Sequence, residues 1–384
     1  MLFVTNRIKR EFLDSCAGIA RGSLRVITPE GDVHDFGAGE PRAEITLHDW
    51  AAVTAAAARG DIGLGEAYVA GLWDTPSIQD FTEVALLNLQ ELSQFAYAGF
   101  WNALKFRVID RILRRNSQSG ASRNIKQHYD VGNEFYQLWL DPTMTYSAAL
   151  YDGGDDLEQA QTKKYDRILS TLSNGERVLE IGCGWGGFAE RAADEGRHVT
   201  GLTISPSQKA YADARLDGRA EIRLQDYRAA SGTFDNIVSI EMIEAVGQAY
   251  WPAYFQAVKA RLAEGGRALI QAITVQDDYF DIYKRGSDFI RHYTFPGGML
   301  LSNAHIRDQA RKAGLAVREI FAFGPDYART CAAWGQALED QRERIGRLGF
   351  DERFMRTWRF YLGICAASFA VNQTDVVQVE LAHA

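Results

Sequence analysis

From residue 165 onward, short apolar runs alternate with longer stretches whose apolar residues recur at helical spacing. Seven runs read as strands: RVLEIG (177–182), HVTGLT (198–203), AEIRLQ (220–225), DNIVSIE (235–241), ALIQAIT (268–274), AVREIF (316–321) and VVQVEL (376–381). Strands separated by helices predict a doubly wound, largely parallel sheet, because parallel neighbours need a long crossover. The first 94 residues follow another pattern. LRVITPEGDVHDFG (24–37) reads as strand, turn and strand, with Pro29, Glu30 and Gly31 at the turn. ITLHDWAAVTAAAARG (45–60) reads as a strand entering an Ala-rich helix that stops at Gly60, and Ser77 stands where it could cap another helix. The glycines of GLGEAYVAG (63–71) lack the strand-to-helix setting of a dinucleotide loop and predict tight turns or close packing. The expected fold class is α/β: a seven-stranded doubly wound, Rossmann-like sheet with a smaller N-terminal α+β domain.

Residues 95–126 join the two patterns. Trp101, Leu104, Val108 and Ile112 fall on one face of a predicted helix, and Arg107, Arg111 and Arg114 on another. The segment ends in the polar RRNSQSGASRN (114–124), which reads as a linker. Domains are therefore expected at 1–94, with this linker at 95–126, and at 127–384. A length of 384 residues agrees with two domains, since single cores stop growing near ~250–300 residues.

Charge sharpens the interest in that linker. The chain carries 42 Lys+Arg against 50 Asp+Glu, a net charge of −8. Between Lys105 and Lys126, seven basic residues face a single acid, Asp110, so this segment alone carries +6. A basic segment on an acidic protein points to an anionic partner, either nucleic acid or anionic lipid headgroups. The ordinary alternative is a docked connecting helix with solvated arginines. No run of about 18 apolar residues is present, so a spanning helix is not expected. The N-terminal residues lack a signal-peptide pattern, and the expected location is cytoplasmic or at a membrane surface. Cys16, Cys183, Cys331 and Cys365 are scattered singly, which predicts neither a disulfide framework nor a metal site.

The strongest local signal is VLEIGCGWGGFAERAADEG (178–196). A buried strand runs into Gly182, Gly184, Gly186 and Gly187, and a helix follows at once. Glycines let the backbone turn sharply and let a ligand approach without a Cβ in the way. Glu180 stands two residues before Gly182, giving E-x-G-x-G-x-G rather than the dinucleotide spelling. The arrangement resembles the loop of S-adenosylmethionine-dependent methyltransferases, where it meets the amino-acid end of that molecule. Two further strand ends carry suitable groups. Thr203 and Gln208 could bond ribose hydroxyls, Asp226 could accept from an adenine amino group, and Tyr227 could cover a ring face.

Longer stretches carry a closer resemblance. QHYDVGNEFYQLWLDPTMTYSAALY (127–151), GLTISPSQKAYA (201–212), SIEMIEAVGQAYWPAYF (239–255), FIRHYTFPGGMLLS (289–302), FGPDYARTCAAW (323–334) and GLGEAYVAGLWD (63–74) are similar, in order, to the cyclopropane-fatty-acid synthase family. The resemblance implies transfer of a methyl group from S-adenosylmethionine to a cis double bond of a phospholipid acyl chain. A carbocation then loses a proton from the new methyl as a cyclopropane ring closes. It implies cofactor contacts at Tyr146, Ser147, Gly182, Gly184, Thr203, Gln208 and Tyr227. It also implies a bicarbonate ion as base, held by Glu244, Tyr327, Gln271, Ala148 and the backbone of Ile273, with Tyr129 near the reacting methyl. Three positions depart from the family: Ala148 replaces a cysteine, and Gln271 and Ala245 each replace a histidine. Gln271 can donate a hydrogen bond but cannot carry charge. The fate of the cation therefore stays open between ring closure and a methyl-branched or furan-precursor product. The implied partner is an anionic phospholipid bilayer, met peripherally at its inner face, rather than nucleic acid; a homodimer is also allowed. Two competing readings are a methyltransferase for a small soluble substrate and a non-catalytic binding protein on the same scaffold.

Overall fold

The computed structural model describes residues 2–92 and 131–384. These divide into two compact units. One comprises the described residues up to 92 with 281–294 and 331–373; the other comprises 131–280, 295–330 and 374–384. The units are not contiguous in the chain, whereas composition suggested serial blocks at 1–94, 95–126 and 127–384. Packing explains the difference. Phe289 and Phe360 are buried in the same apolar core as Tyr68 and Trp73 of the N-terminal residues.

In that first unit, β1 (Gly22–Ile27), β2 (Val33–Ala38), β3 (Arg42–Leu47) and β4 (Trp73–Asp74) form a sheet of order β2-β1-β3-β4. The β1–β2 pair is the expected hairpin, and β1–β3 is parallel. Ser77 caps the helix Ile78–Leu87 by accepting from the Asp80 N–H. The glycines at 63 and 65 lie within the helix Asp61–Val69 and mark close packing. A Cβ at Gly63 would stand 2.0 Å from the Ala55 carbonyl oxygen, and one at Gly65 would stand 2.4 Å from the Phe289 ring.

The second unit is built on seven strands: β5 (Arg177–Ile181), β6 (His198–Thr203), β7 (Glu221–Leu224), β8 (Phe234–Ile240), β9 (Leu262–Val275), β10 (Leu315–Ala322) and β11 (Thr374–His383). All seven expected strands are present. Their order is β10-β11-β9-β8-β5-β6-β7. The β9-β8-β5-β6-β7 pairs are parallel, and β11 runs antiparallel to both its neighbours. Four of five β5 residues are buried, as expected for a central strand covered on both faces. Strand order reverses between β5 and β8, so the crevice beyond their carboxyl ends is the switch point where such sheets bind ligands. The helix Leu157–Thr171 packs beside the sheet and starts at a capping box from Asp156 and Gln159.

Candidate functional site

The glycine loop leaves β5 at the switch point. Gly182 has φ 86° and Gly184 φ 53°, backbone conformations that side chains strongly disfavour. The Gly182 and Cys183 N–H groups both donate to the Leu202 carbonyl, at 3.0 and 2.9 Å, tying the loop to β6. A Cβ on Gly182 would crowd Met242, but one on Gly184 would meet no protein atom within 4 Å. Gly184 therefore presents bare backbone to open space. Trp185 donates from Nε1 to Asn133 Oδ1 at 2.8 Å, and its ring lies 5.0 Å from that of Tyr136. Tyr136 packs tilted and Trp139 edge-on against Tyr146, which completes an aromatic wall.

Glu180 is 2 % exposed, and its Oε2 has no hydrogen-bond partner among the described residues. Burial pushes its carboxyl up to about 8, against the opposing charge of Lys164. An unpartnered carboxyl oxygen behind an open glycine loop fits the cationic amino-acid end of S-adenosylmethionine. When bound, that molecule supplies an electrophilic methyl group. Thr203 at the end of β6 and Gln208 on the following helix Pro206–Leu216 are buried and bond each other, Thr203 Oγ1 donating to Gln208 Oε1 at 2.8 Å. Asp226 differs from expectation. Its oxygens are engaged by the Arg228 side chain at 2.8 and 2.6 Å and by the Arg228 N–H. An adenine amino group would have to share them. Tyr227 packs edge-on against Tyr254, with ring centroids 5.6 Å apart. Ser147 accepts from Lys164 Nζ through its hydroxyl at 2.7 Å and from Gln161 Nε2 through its carbonyl at 2.8 Å. Tyr129 and the basic segment 105–126, with the rest of 95–126, lie outside the described residues.

The second half of the site lies one strand away. Ala148, Gln271 and Tyr327, implied as bicarbonate ligands, do come together, but on the carboxylate of Glu241. Its Oε1 accepts from the Ala148 N–H and from Gln271 Nε2, both at 2.8 Å, and its Oε2 accepts from the Tyr327 hydroxyl at 2.6 Å. Sheet register builds this cluster. Gln271 on β9 is paired with Ile240 on β8 and with Gln378 on β11. Gln378 Nε2 donates to Gln271 Oε1 at 3.0 Å, and Arg167 donates to Gln378 Oε1 at 2.5 Å. With its oxygen so engaged, Gln271 turns its NH2 toward Glu241. Glu241 itself has φ 48°, a left-handed conformation that costs a non-glycine residue about 1–3 kcal/mol.

Glu244 is the neighbour, on the 3-10 turn Ile243–Ala245 after β8. Its Oε1 accepts at 2.5 Å from the Ile273 N–H, the group implied as a bicarbonate donor, while Oε2 is buried without a hydrogen-bond partner among the described residues. Burial, and then the charge of Glu241, pushes the Glu244 carboxyl up to about 8. Burial also raises Glu241, but Tyr327, Ala148, Gln271 and Lys164 all oppose that shift. Burial thus pushes both carboxyls up, and Glu241 carries the larger set of groups that favour its ionised form. Lys164, fully buried on the helix Leu157–Thr171, joins the two halves. Burial lowers its ammonium well below the ordinary lysine value, while Glu241, Asp141 and Glu180 hold its proton. Glu241 and Lys164 were not among the residues singled out from sequence. A carboxylate at a strand end, three positions before Glu244, was the available signal for the first.

Comparison with known proteins agrees with this geometry. Residues 116–379 match the family model described as mycolic acid cyclopropane synthetase. The chain is 35% identical over 377 residues to tuberculostearic acid methyltransferase UfaA1 of Mycobacterium tuberculosis, covering 92% of this chain and 86% of the relative. It is 34% identical over 331 residues to cyclopropane-fatty-acyl-phospholipid synthase of Escherichia coli, covering 83% and 82%. The solved cyclopropane synthase MmaA2 from M. tuberculosis matches with a TM-score of 0.64 at 30% identity, covering 68% of this chain and 98% of that one. Mycolic acid cyclopropane synthase CmaA1, solved with SAH and CTAB, matches with a TM-score of 0.63 at 29% identity, covering 68% and 97%. With the glycine loop, the strand-end polar groups and the paired carboxyls in place, the chain belongs to the mycolic acid cyclopropane synthetase family and is an S-adenosylmethionine-dependent methyltransferase.

Proposed function

We propose that the protein adds the methyl carbon of S-adenosylmethionine to the double bond of an unsaturated phospholipid acyl chain and closes a cyclopropane ring. The observation that carries this reading is the pairing of Glu241 and Glu244 after β8, where the N–H of Ala148, two residues after Tyr146 of the aromatic cluster, donates to Glu241. An alkene is a weak nucleophile, and its methylation leaves a positive charge on carbon. Carboxylates and π-faces are the groups that stabilise such a charge, and a buried site keeps water from trapping it. Bicarbonate, which the resemblance implied, would compete with Glu241 for the N–H of Ala148, for Gln271 and for Tyr327.

A second reading is supported by the match to tuberculostearic acid methyltransferase over 92% of the chain. A hydride shift before proton loss would give a methylene product in place of a ring, and a methyl-branched chain only after a separate hydride donor reduces it. Labelled S-adenosylmethionine incubated with the protein and mixed unsaturated phospholipid vesicles tests both. Label in the acyl chains supports lipid methylation, and fragmentation mass spectrometry with NMR tells the ring from its unsaturated isomers. Label found only in a small soluble acceptor would overturn the lipid reading. In this account the protein meets an anionic bilayer peripherally, from its cytoplasmic face, through the basic segment 105–126.

A further inference from the structure

We propose that Glu241 is the general base of the reaction, a resident carboxylate that removes the need for any external anion. This assignment rests on the lipid methylation reading above. Three donors from three distant segments, the Ala148 N–H, Gln271 Nε2 and the Tyr327 hydroxyl, converge on its two oxygens. Such a set favours the ionised form and fixes the direction in which the remaining lone pairs point. The Gln271 amide is itself oriented by Gln378 and Arg167, so this donor is held by a relay from the helix Leu157–Thr171 through β11 to β9. The left-handed backbone at Glu241 is a strained position at the switch point, of the kind kept where a side chain must be aimed. Glu244, met by backbone N–H groups alone and with no hydrogen-bond partner on Oε2 among the described residues, is the poorer base and the better neutral partner.

The step balances without a further reactant. The alkene's electron pair forms the new bond to the methyl carbon and leaves a cation on the other alkene carbon. A C–H bond of the new methyl then breaks, its proton passes to a Glu241 oxygen, and its electron pair closes the third ring bond. If a hydride first moves to the cationic carbon, the same pair forms a C=CH2 double bond on the open chain instead. Nothing is oxidised or reduced overall beyond the methyl transfer itself, and Glu241 returns its proton to solvent.

The test uses the full chain as wild type, Glu241→Gln and Glu241→Gly, with unsaturated phosphatidylglycerol vesicles in buffer purged of carbon dioxide. Wild-type turnover should be the same with and without added bicarbonate. Glu241→Gln should bind S-adenosylmethionine normally and lose about 100-fold or more in turnover. Glu241→Gly suits the left-handed backbone and leaves three donors facing a space of carboxylate size. It should bind bicarbonate in calorimetry without lipid or cofactor, where wild type does not, and added bicarbonate should restore part of its turnover. Bicarbonate dependence in the wild type, normal turnover in Glu241→Gln, or no anion binding by Glu241→Gly would each overturn the assignment. The calorimetric arm contains no lipid, so it decides the role of Glu241 separately. Failure of wild type to label any acyl chain would instead sink the lipid reading.

Discussion

A carboxyl that keeps its proton in the folded chain and releases it in the unfolded one makes stability depend on pH. Glu180 is such a group, raised by burial from an ordinary value of 4.5 to about 8. At acid pH both states hold the proton. As pH rises above about 4.5 the unfolded chain ionises first, so folding weakens progressively until Glu180 ionises near 8. The cofactor-free protein should therefore lose stability across that window, by an amount on the order of a few kcal/mol from this residue. Melting temperatures between pH 5 and 8.5 check this: Glu180→Gln should flatten the profile, and parallel profiles for variant and wild type would show the shift to be absent. Gly184 gives a second outcome at this scale. A valine there meets no protein atom, so folding loses only the cost of a left-handed β-branched residue. S-adenosylmethionine binding should nevertheless fall below detection by calorimetry, because the branch fills the space that the loop leaves bare. Unchanged affinity in a folded variant would remove the loop from the binding site. The role of Glu241 could not be read from its own neighbourhood in the chain. Its donors stand 93, 30 and 86 residues away, one on β9, one on the helix Gly324–Asp340 and one in the loop before Leu157–Thr171, and only the tertiary fold brings them to one carboxylate.

Elements differ in how openly the chain announces them. β5, β6 and β8 are legible because both faces are buried, which leaves nearly unbroken apolar runs. β9 begins at Leu262, six residues before the apolar run at Ala268, since AEGGR is polar and carries no strand signal. The helix Glu352–Ala370 is apolar at Trp358, Phe360, Tyr361 and Leu362, so its existence is legible. Its destination is not. Periodicity shows that a face will be buried, not which core will receive it, and Phe360 enters the N-terminal core nearly three hundred residues before it. The helix Asp61–Val69 meets that core through glycine. Gly65→Ala places a methyl 2.4 Å from the Phe289 ring and 2.7 Å from Phe360, both rigid and buried. Overpacking of this kind costs about 1–3 kcal/mol. Urea unfolding followed by tryptophan fluorescence should show the loss in the N-terminal unit, with S-adenosylmethionine affinity unchanged. A variant as stable as wild type would mean that the helix shifts freely against its neighbours.

Across the whole molecule, charge is distributed against its own total. The chain carries −8, yet residues 105–126 carry +6, leaving −14 on the remainder. No described helix is long and apolar enough to cross a membrane. On the proposed function the protein reaches acyl chains at the bilayer surface, where its net charge alone would repel it from anionic lipid and the basic segment would reverse that repulsion locally. Arg107, Arg111 and Arg114 share one face of the helix expected there, each worth about 1 kcal/mol beside an anionic bilayer. Changing all three to Gln should weaken binding to phosphatidylglycerol vesicles by about 3 kcal/mol, roughly a hundredfold. What binding remains should depend less steeply on salt, since the segment then carries +3 in place of +6. Affinity for S-adenosylmethionine should stay at the wild-type value, and turnover at saturating lipid should fall far less than affinity for vesicles. Vesicle flotation across a salt series, paired with calorimetry, reads both quantities on one preparation. If the triple variant floats with the vesicles as wild type does, these arginines are a solvated face and the bilayer is met by another surface. If binding and cofactor affinity fall together, the segment supports the fold of the catalytic unit rather than its docking.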